Sequence, residues 1–300
     1  MKIEYCDSAM GGGRLYVCPK AEDLLRLQVD DGTTLEFSWG PYWVFGTASY
    51  WISQYRSRFG QTPIGGQALG GSLLEETAAC ILGGYGIPAE VGLAAFRRLQ
   101  KARVLRNGVA VSAQRFRRLL ESPFELASSG RGQLEKEPSR SVRYRFARQR
   151  ADRLANATRY FVNCGPAPSG DPLELRRWLL GIPGVGLKTA SWIVRNQTGT
   201  DEVAIVDVHL QRAGVAAGFF SPSWEVSRDY TLFEKAFLGF ARLGGVPASG
   251  LDALIWDEQR IITSRILLGT GLPTRERDWR WATCGSMTGV GRSQEDLIEV

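Results

Sequence analysis

The chain has 300 residues, a formal net charge of +6 at neutral pH and a hydrophobic share of 44%. This length and apolar content suit one large or two to three small globular domains, and exclude a disordered or fibrous chain. The basic excess favours a polyanionic partner such as nucleic acid, although many proteins without one are equally basic. We expect neither a signal sequence nor a membrane span, and therefore a cytoplasmic protein of bacterial type that associates with the nucleoid.

Cysteine and histidine are too sparse for most metal and redox sites. The five cysteines are odd in number, form no close pair and stand at positions 6, 18, 80, 164 and 284. Neither a disulfide framework nor a zinc site is indicated. His209 is the only histidine, which removes histidine metal centres and Ser-His-Asp triads from consideration. We therefore expect no metal and no organic cofactor.

A helical hairpin organises the middle of the chain. Asp171 and Pro172 match an N-cap and a first helical position, and Glu174 completes a capping-box pattern, so a helix should begin here. The glycine-rich run Gly181–Gly186 interrupts the helical periodicity, and a second helix should resume at Leu187. Glycines at this point leave backbone N–H groups exposed at a helix N-terminus, where a phosphate can bind.

The nearest competing motif is the nucleotide-binding P-loop. Gly181, Gly186, Lys188 and Thr189 almost reproduce its pattern. Leu187, however, stands between the last glycine and the lysine. The preceding segment also has helical periodicity where a P-loop requires a strand, so we reject a nucleotide site.

Two segments, Ile182–Ala190 (IPGVGLKTA) and Val206–His209 (VDVH), together resemble the helix-hairpin-helix DNA glycosylases. This superfamily includes endonuclease III and the 8-oxoguanine DNA glycosylases. In it, a lysine directly after the hairpin and an aspartate at the start of a later helix form the catalytic pair, and the resemblance carries these roles to Lys188 and Asp207. The endonuclease III branch is disfavoured, because its iron–sulfur cluster needs four clustered cysteines after the aspartate and only Cys284 follows here.

The chemistry of base excision explains the need for an amine and a carboxylate. Departure of a base builds positive charge on the sugar, which the Asp207 carboxylate can stabilise electrostatically. A neutral Lys188 amine can add to the anomeric carbon and form a Schiff base that permits strand cleavage. The ordinary alternatives are a solvated lysine and an aspartate that only caps a helix. The shared register of the two motifs favours catalysis over these alternatives.

The same resemblance implies which residues contact DNA. The hairpin backbone at Gly184, Val185 and Gly186 and the side chain of His209 would bind phosphates. Tyr85 stands between glycines in a loop that separates two predicted helices, at about the place where the family inserts a side chain beside the extruded nucleotide. A simple surface tyrosine is the alternative, and the family more often has asparagine or glutamine there.

Three further residues are candidates for the base pocket. Trp192 follows Lys188 by one helical turn, where the 8-oxoguanine branch usually has a small cysteine; a core-filling role is the alternative. Asp252 and Trp256 lie one turn apart on a late predicted helix and match the family's polar and aromatic residues that read and stack on the flipped base. The family's glutamine and phenylalanine are replaced, which favours a purine that offers N–H donors and leaves 8-oxoguanine itself open.

The remaining sequence predicts a mainly α-helical chain with a small β-containing N-terminal segment, and the resemblance implies the two helical domains of the helix-hairpin-helix DNA glycosylases. We expect the N-terminal segment at residues 1–60, a helical domain at 61–200 that ends in the hairpin, and a C-terminal helical domain at 201–300 that carries the catalytic aspartate. Residues 102–122 read as one helix within the second of these parts.

The motifs and the resemblance together predict a bifunctional DNA N-glycosylase and AP lyase. It would bind double-stranded DNA as a monomer, flip out a modified purine, with 8-oxoguanine as the first candidate, and excise it through a lysine Schiff base. Two alternatives stay open. One is an enzyme of the same fold that acts on another modified guanine or nucleoside in a specialised pathway such as defence. The other is an inactive hairpin protein that only binds DNA.

Overall fold

The structure is a computed structural model and describes residues 19–30, 32–60, 68–84, 86–126 and 140–270, without the side chains of residues 140 and 260–270. Two antiparallel strand pairs occur in these ranges: β1 (Leu24–Asp30) with β2 (Thr33–Ser38), and β3 (Phe124–Leu126) with β4 (Arg140–Val142). The helices of the same ranges are α1 (Ala48–Phe59), α2 (Leu73–Leu82), α3 (Ala89–Lys101), α4 (Ala113–Glu121), α5 (Ala147–Asn163), α6 (Pro172–Leu179), α7 (Leu187–Thr198), α8 (Val208–Ala217), α9 (Val226–Leu243) and α10 (Ala248–Thr270). The predicted mainly helical fold with a small N-terminal β piece is confirmed.

The N-terminal β-hairpin buries one of its faces. Side chains of β1 alternate between exposed and buried positions, as the period of a strand requires. Leu25 pairs with Phe37 across the hairpin, and both are buried. Leu27 packs where Gly239 of α9 has no side chain, since a Cβ on that glycine would lie 2.6 Å from Leu27 Cδ1. The buried face of the hairpin therefore rests on α9.

The buried apolar residues of the described ranges form two clusters. The first gathers α2 to α7 and their connections, with Phe96 and Phe116 among its largest members. The second gathers the β-hairpin, α1, α8, α9 and the start of α10, with Trp51, Phe219 and Phe240 at its centre. The N-terminal hairpin and the C-terminal helices thus share one core, although the whole of the first cluster separates them in the sequence. The domain boundaries at residues 60 and 200 stay a prediction.

Helix α7 contributes to both clusters. Ala190, Ile193 and Val194 are fully buried in the first cluster. Leu187, in the first turn of the same helix, packs against the second cluster. The two faces follow from helical periodicity, because residues three and four apart share a side of the helix. Lys188, the second residue of α7, therefore lies where the two cores meet.

The prediction of one helix over residues 102–122 is wrong. Helix α3 ends at Lys101, and α4 begins only at Ala113, after Ser112 accepts a hydrogen bond from the N–H group of Arg115. Between them Arg103 has a φ of +53° and Gly108 a φ of +76°. Neither conformation fits a continuous right-handed helix, so the chain turns here instead.

Candidate active site

The predicted helical hairpin is present as α6, a tight turn and α7. Asp171 Oδ1 accepts hydrogen bonds from the N–H groups of Leu173 (2.7 Å) and Glu174 (3.3 Å), which fixes the start of α6. In the turn, the N–H group of Val185 donates to the carbonyl of Ile182 over 3.0 Å. Helix α7 then begins at Leu187, as predicted.

Two glycines of the turn have different roles. Gly184 has a φ of +93°, and a Cβ there would lie 2.6 Å from Cγ of Arg153 on α5. Both the backbone conformation and the neighbouring helix therefore require glycine. Gly186 is exposed, has open space around its Cα and provides the N-cap of α7 without a side-chain cap. The first N–H groups of α7 consequently face outward, ready for an anion.

Asp207 caps helix α8 with one oxygen. Its Oδ1 accepts hydrogen bonds from the N–H groups of His209 (2.8 Å) and Leu210 (2.9 Å). The capping role weighed as an alternative is therefore real. Oδ2 makes no hydrogen bond within the described part of the chain. Because the cap uses only Oδ1, Oδ2 is available to interact with another group.

Tyr230 of α9 fixes the segment that leads to Asp207. Its hydroxyl donates to the carbonyl of Ala204 (2.8 Å) and accepts from the N–H group of Val206 (3.3 Å). Burial raises the pKa of Tyr230 above its ordinary value, and the negative charge of Glu234 raises it further. The phenol thus stays protonated and keeps its donor at any physiological pH.

Two buried ion pairs complete the support of this segment. Arg176 of α6 donates to both carboxylate oxygens of Glu234, at 2.7 and 2.6 Å, and the Glu234 carboxylate also accepts from the N–H group of Ala204 (3.0 Å). Arg195 of α7 donates to Oδ2 of Asp252. Buried charges need such partners, because an unpaired charge in an apolar interior is costly.

Asp252 differs from the expected base-reading residue in its surroundings. Its Oδ2 is engaged by Arg195 and by the N–H group of Ile205 (3.0 Å), and the residue is 5% exposed. Burial raises the pKa of Asp252 to about 6; nearby Asp207 also raises it, while Arg195 and the Ile205 N–H group lower it. The base-reading role stays a prediction, and the observed contacts bind the carboxylate into the protein.

The aromatic candidates lie at two places. The rings of Trp256 and His209 meet edge to face at 6.4 Å, next to the capped start of α8, and Trp256 is 38% exposed. Trp192 is half-buried against the first core, and a Cβ on Gly83 would lie 2.8 Å from its Cη2 atom. Trp192 therefore covers the start of the loop between α2 and α3. Tyr85 of this loop lies outside the described residues.

Sequence reasoning missed the polar residues behind the site. Arg176, Arg195, Tyr230 and Glu234 were not candidates. Their signal was a charged or hydroxyl group inside an otherwise apolar helical stripe. Within the described ranges, no three or more histidine, cysteine, aspartate or glutamate residues cluster to hold a metal, and no helix is long and apolar enough to cross a membrane.

Comparisons with known proteins find similar sequences and structures. Residues 104–245 match the family model Ogg-HhH, described as 8-oxoguanine DNA glycosylase. An 8-oxoguanine DNA glycosylase/AP lyase of Metallosphaera sedula is 31% identical over 121 residues, which are 38% of this chain; the chain spans 57% of that relative's length. Among solved structures, the 8-oxoguanine DNA glycosylase of Thermotoga maritima is 20% identical with a TM-score of 0.46, over 70% of this chain and 86% of that one. That of Methanocaldococcus jannaschii is 21% identical with a TM-score of 0.47, over 75% and 87%.

Proposed function

We propose that this protein is a bifunctional DNA N-glycosylase and AP lyase, because residues 104–245 match the family model described as 8-oxoguanine DNA glycosylase. Its substrate is duplex DNA that contains a modified purine, with 8-oxoguanine as the first candidate. One observation carries the proposal. Lys188 is the second residue of α7, directly after an exposed glycine hairpin, and Asp207 is the N-cap of α8 at the end of a segment that is bonded to the same α7 through Asp252 and Arg195.

The lysine supplies the nucleophile. Lys188 Nζ, once neutral, adds to C1′ of the flipped nucleotide as the bond from C1′ to the base breaks, and the base leaves with the bonding electrons and takes up a proton. The sugar ring then opens: the electron pair of the C1′–O4′ bond moves to O4′, which receives a proton from the amine. An iminium between Nζ and C1′ remains, and loss of a 2′ proton expels the 3′ phosphate and cleaves the strand.

The carboxylate supplies the electrostatics. Positive charge develops on the sugar as the base leaves, and a fixed carboxylate lowers the energy of that state most when it needs no reorganisation. Asp207 is held by two backbone N–H groups and by the anchored segment 203–206. Its orientation is thus set before the substrate binds.

The hairpin and the aromatic residues supply binding. The N–H groups at the exposed Gly186 and in the first turn of α7 suit a phosphate of the strand, and His209, the second residue of α8, lies beside Trp256. The half-exposed Trp256 ring offers a face for stacking on an extruded base. The basic charge of the whole chain favours the same partner.

Borohydride trapping tests the proposal. The protein is incubated with duplex oligonucleotides that contain 8-oxoguanine under sodium borohydride, which reduces an iminium to a stable covalent link. We expect a protein–DNA adduct from the natural chain and none from Lys188→Gln. Absence of an adduct with the natural chain, or an undiminished adduct from the variant, would reject the lyase assignment and favour a protein that only binds DNA.

Trp192 motivates a second candidate substrate. Trp192 lies on α7, one turn after Lys188, and its bulky indole packs against Gly83. The enzymes that this chain resembles usually have a small side chain at this position. A narrower pocket would favour a different modified guanine or nucleoside. The same trapping assay with a panel of modified purines decides this point: an adduct with another base that forms faster than the 8-oxoguanine adduct supports the second candidate.

A further inference from the structure

One buried carboxylate joins the lysine helix to the aspartate segment. Asp252 Oδ2 receives the guanidinium of Arg195, which belongs to α7, and the N–H group of Ile205 over 3.0 Å. Arg195 follows Lys188 by seven residues, so it lies on the same helical face about 10 Å further along the axis. Ile205 precedes Asp207 by two residues. A single oxygen atom therefore links the two halves of the proposed catalytic pair.

A second buried carboxylate makes a parallel link. Glu234 accepts from the hydroxyl of Ser191 (3.4 Å), on the same helix as Arg195, and from the N–H group of Ala204 (3.0 Å). Arg176 neutralises Glu234 from α6. Consecutive backbone N–H groups, of Ala204 and Ile205, are thus held by two carboxylates that both contact α7.

We propose that Asp252, paired with Arg195, is a positioning residue that sets the Asp207 carboxylate relative to Lys188. This inference rests on the proposed function. Helix α7 cannot shift freely, since its opposite face is buried in the first core. Within the described residues, the hydrogen bonds that connect α7 to the segment ending at Asp207 run through the two carboxylates. Loss of one link shifts the Asp207 carboxylate away from the sugar on which positive charge develops. A displacement of a catalytic group by about 1 Å can lower the rate about a hundredfold.

The pair also gives the site a specific pH response. The charged and titratable groups that face Asp252 are Arg195 of α7, Asp207 at the start of α8 and Tyr230 of α9. Because the pKa of Asp252 is about 6, its carboxyl group loses its charge, and the link to Arg195 weakens, as the pH falls through 6. Base release should therefore decline below pH 6.

Stability should move in the opposite direction. The pKa of Asp252 in the folded protein lies above its ordinary value of 3.8, so the folded state binds the proton more tightly than the unfolded state. Between pH 6 and pH 4 this group therefore adds stability as the pH falls.

The test compares Asp252→Asn with the natural chain. Single-turnover base release from 8-oxoguanine duplex, DNA affinity and thermal unfolding are measured from pH 5 to pH 8. We expect a 10- to 100-fold slower release at pH 7.5, an unchanged affinity and the loss of the decline below pH 6. Release within threefold of the natural rate, or a decline near pH 6 that persists in the variant, would overturn the proposal.

Glu76→Gln is the matched control. Glu76 is fully buried and accepts from Asn196 of α7 (2.8 Å) and from the N–H groups of Leu69 (2.6 Å) and Gly70 (3.1 Å). It bonds to α7 but to no backbone group of residues 203–207 in the described structure. We expect this variant to lose stability while it keeps both the rate of base release and its pH profile. A slowed release equal to that of Asp252→Asn would mean that the loss of any buried carboxylate bonded to α7 suffices, against the proposal.

Arg195→Lys serves if the asparagine variant does not fold. A lysine keeps the charge but lacks the planar fork of arginine, so release should fall by a smaller factor and the decline near pH 6 should remain. An unchanged rate would contradict the proposed positioning. The natural chain separates the two hypotheses: if it forms no borohydride adduct, the proposed function fails, whereas an active natural chain with an equally active Asp252→Asn rejects the positioning role alone.

Discussion

Asp207 serves as a helix cap through one of its two carboxylate oxygens. Oδ1 receives the N–H groups of His209 and Leu210, while the proposed chemistry needs only the negative charge near the sugar. Asparagine caps a helix about as well as aspartate, because its side-chain oxygen accepts the same hydrogen bonds. Capping and catalysis can therefore be separated at this residue.

Asp207→Asn should slow base release by about 10²–10³ while the melting temperature stays close to that of the natural chain. Single-turnover kinetics and thermal denaturation measure the two effects. Asp171→Asn is the control, since Asp171 caps α6 through Oδ1 in the same way and should keep both properties. A loss of less than tenfold at Asp207 would leave it with the capping role only.

At the scale of secondary-structure elements, the α6–α7 hairpin packs on helix α5. The hydroxyl of Tyr160 donates to the carbonyl of Trp178 at the end of α6 (2.9 Å), and Arg153 lies against Gly184 in the turn. The turn can pass this close to α5 because Gly184 has no Cβ atom. The loop thus keeps a fixed shape although much of it is exposed.

Gly184→Ala should lower the free energy of unfolding by about 1–2 kcal/mol, because alanine disfavours a positive φ and its Cβ displaces Arg153. DNA affinity should fall with it, as the turn loses its shape. Gly186→Ala offers the comparison, since its φ is −100° and a Cβ there meets no atom within 4 Å. For Gly186→Ala we expect the free energy of unfolding to change by less than about 0.5 kcal/mol. We expect the affinity of this variant for DNA to decrease. Equal destabilisation of the two variants in denaturant titrations would refute this account.

At the scale of the whole molecule, the N-terminal β-hairpin packs against helices from the last third of the chain. Phe37 of β2 packs edge to face on Phe219 and Phe240, at 6.4 and 6.2 Å between ring centroids. It also lies over Gly218, which ends α8. Helix α8, which Asp207 caps, is therefore supported at its far end by a strand some 180 positions earlier in the sequence.

Phe37→Ala should destabilise the protein by about 3–5 kcal/mol, the usual cost of removing a buried aromatic ring from a core. Leu24→Ala, on the exposed face of the same hairpin, should change the stability by less than about 0.5 kcal/mol. Guanidinium chloride unfolding measures both. Similar midpoints for the two variants would mean that the hairpin does not support the second core.

The sequence by itself determined the features that depend on neighbouring residues. Asp171 and Asp207 cap their helices through N–H groups two and three positions ahead, and the glycines after Leu180 end one helix and allow the next. Such interactions close within a single turn of chain, so caps, glycines and periodicity suffice to locate α6, α7 and α8. The prediction of one helix over residues 102–122 is wrong for a local reason as well. The Asn107-Gly108 pair is a turn signal, and it interrupts the helical periodicity of the arginine-rich segment.

Only the tertiary structure decided which distant groups meet. The pairing of Arg195 with Asp252 joins residues 57 positions apart, and no local pattern distinguishes a buried aspartate that binds an arginine from one that lines a pocket. The shared core of the β-hairpin and the C-terminal helices, and the contact of Trp192 with Gly83, are equally long-range. They follow from the packing of apolar faces in three dimensions, which fixes the partner of each buried charge only after the helices are in place.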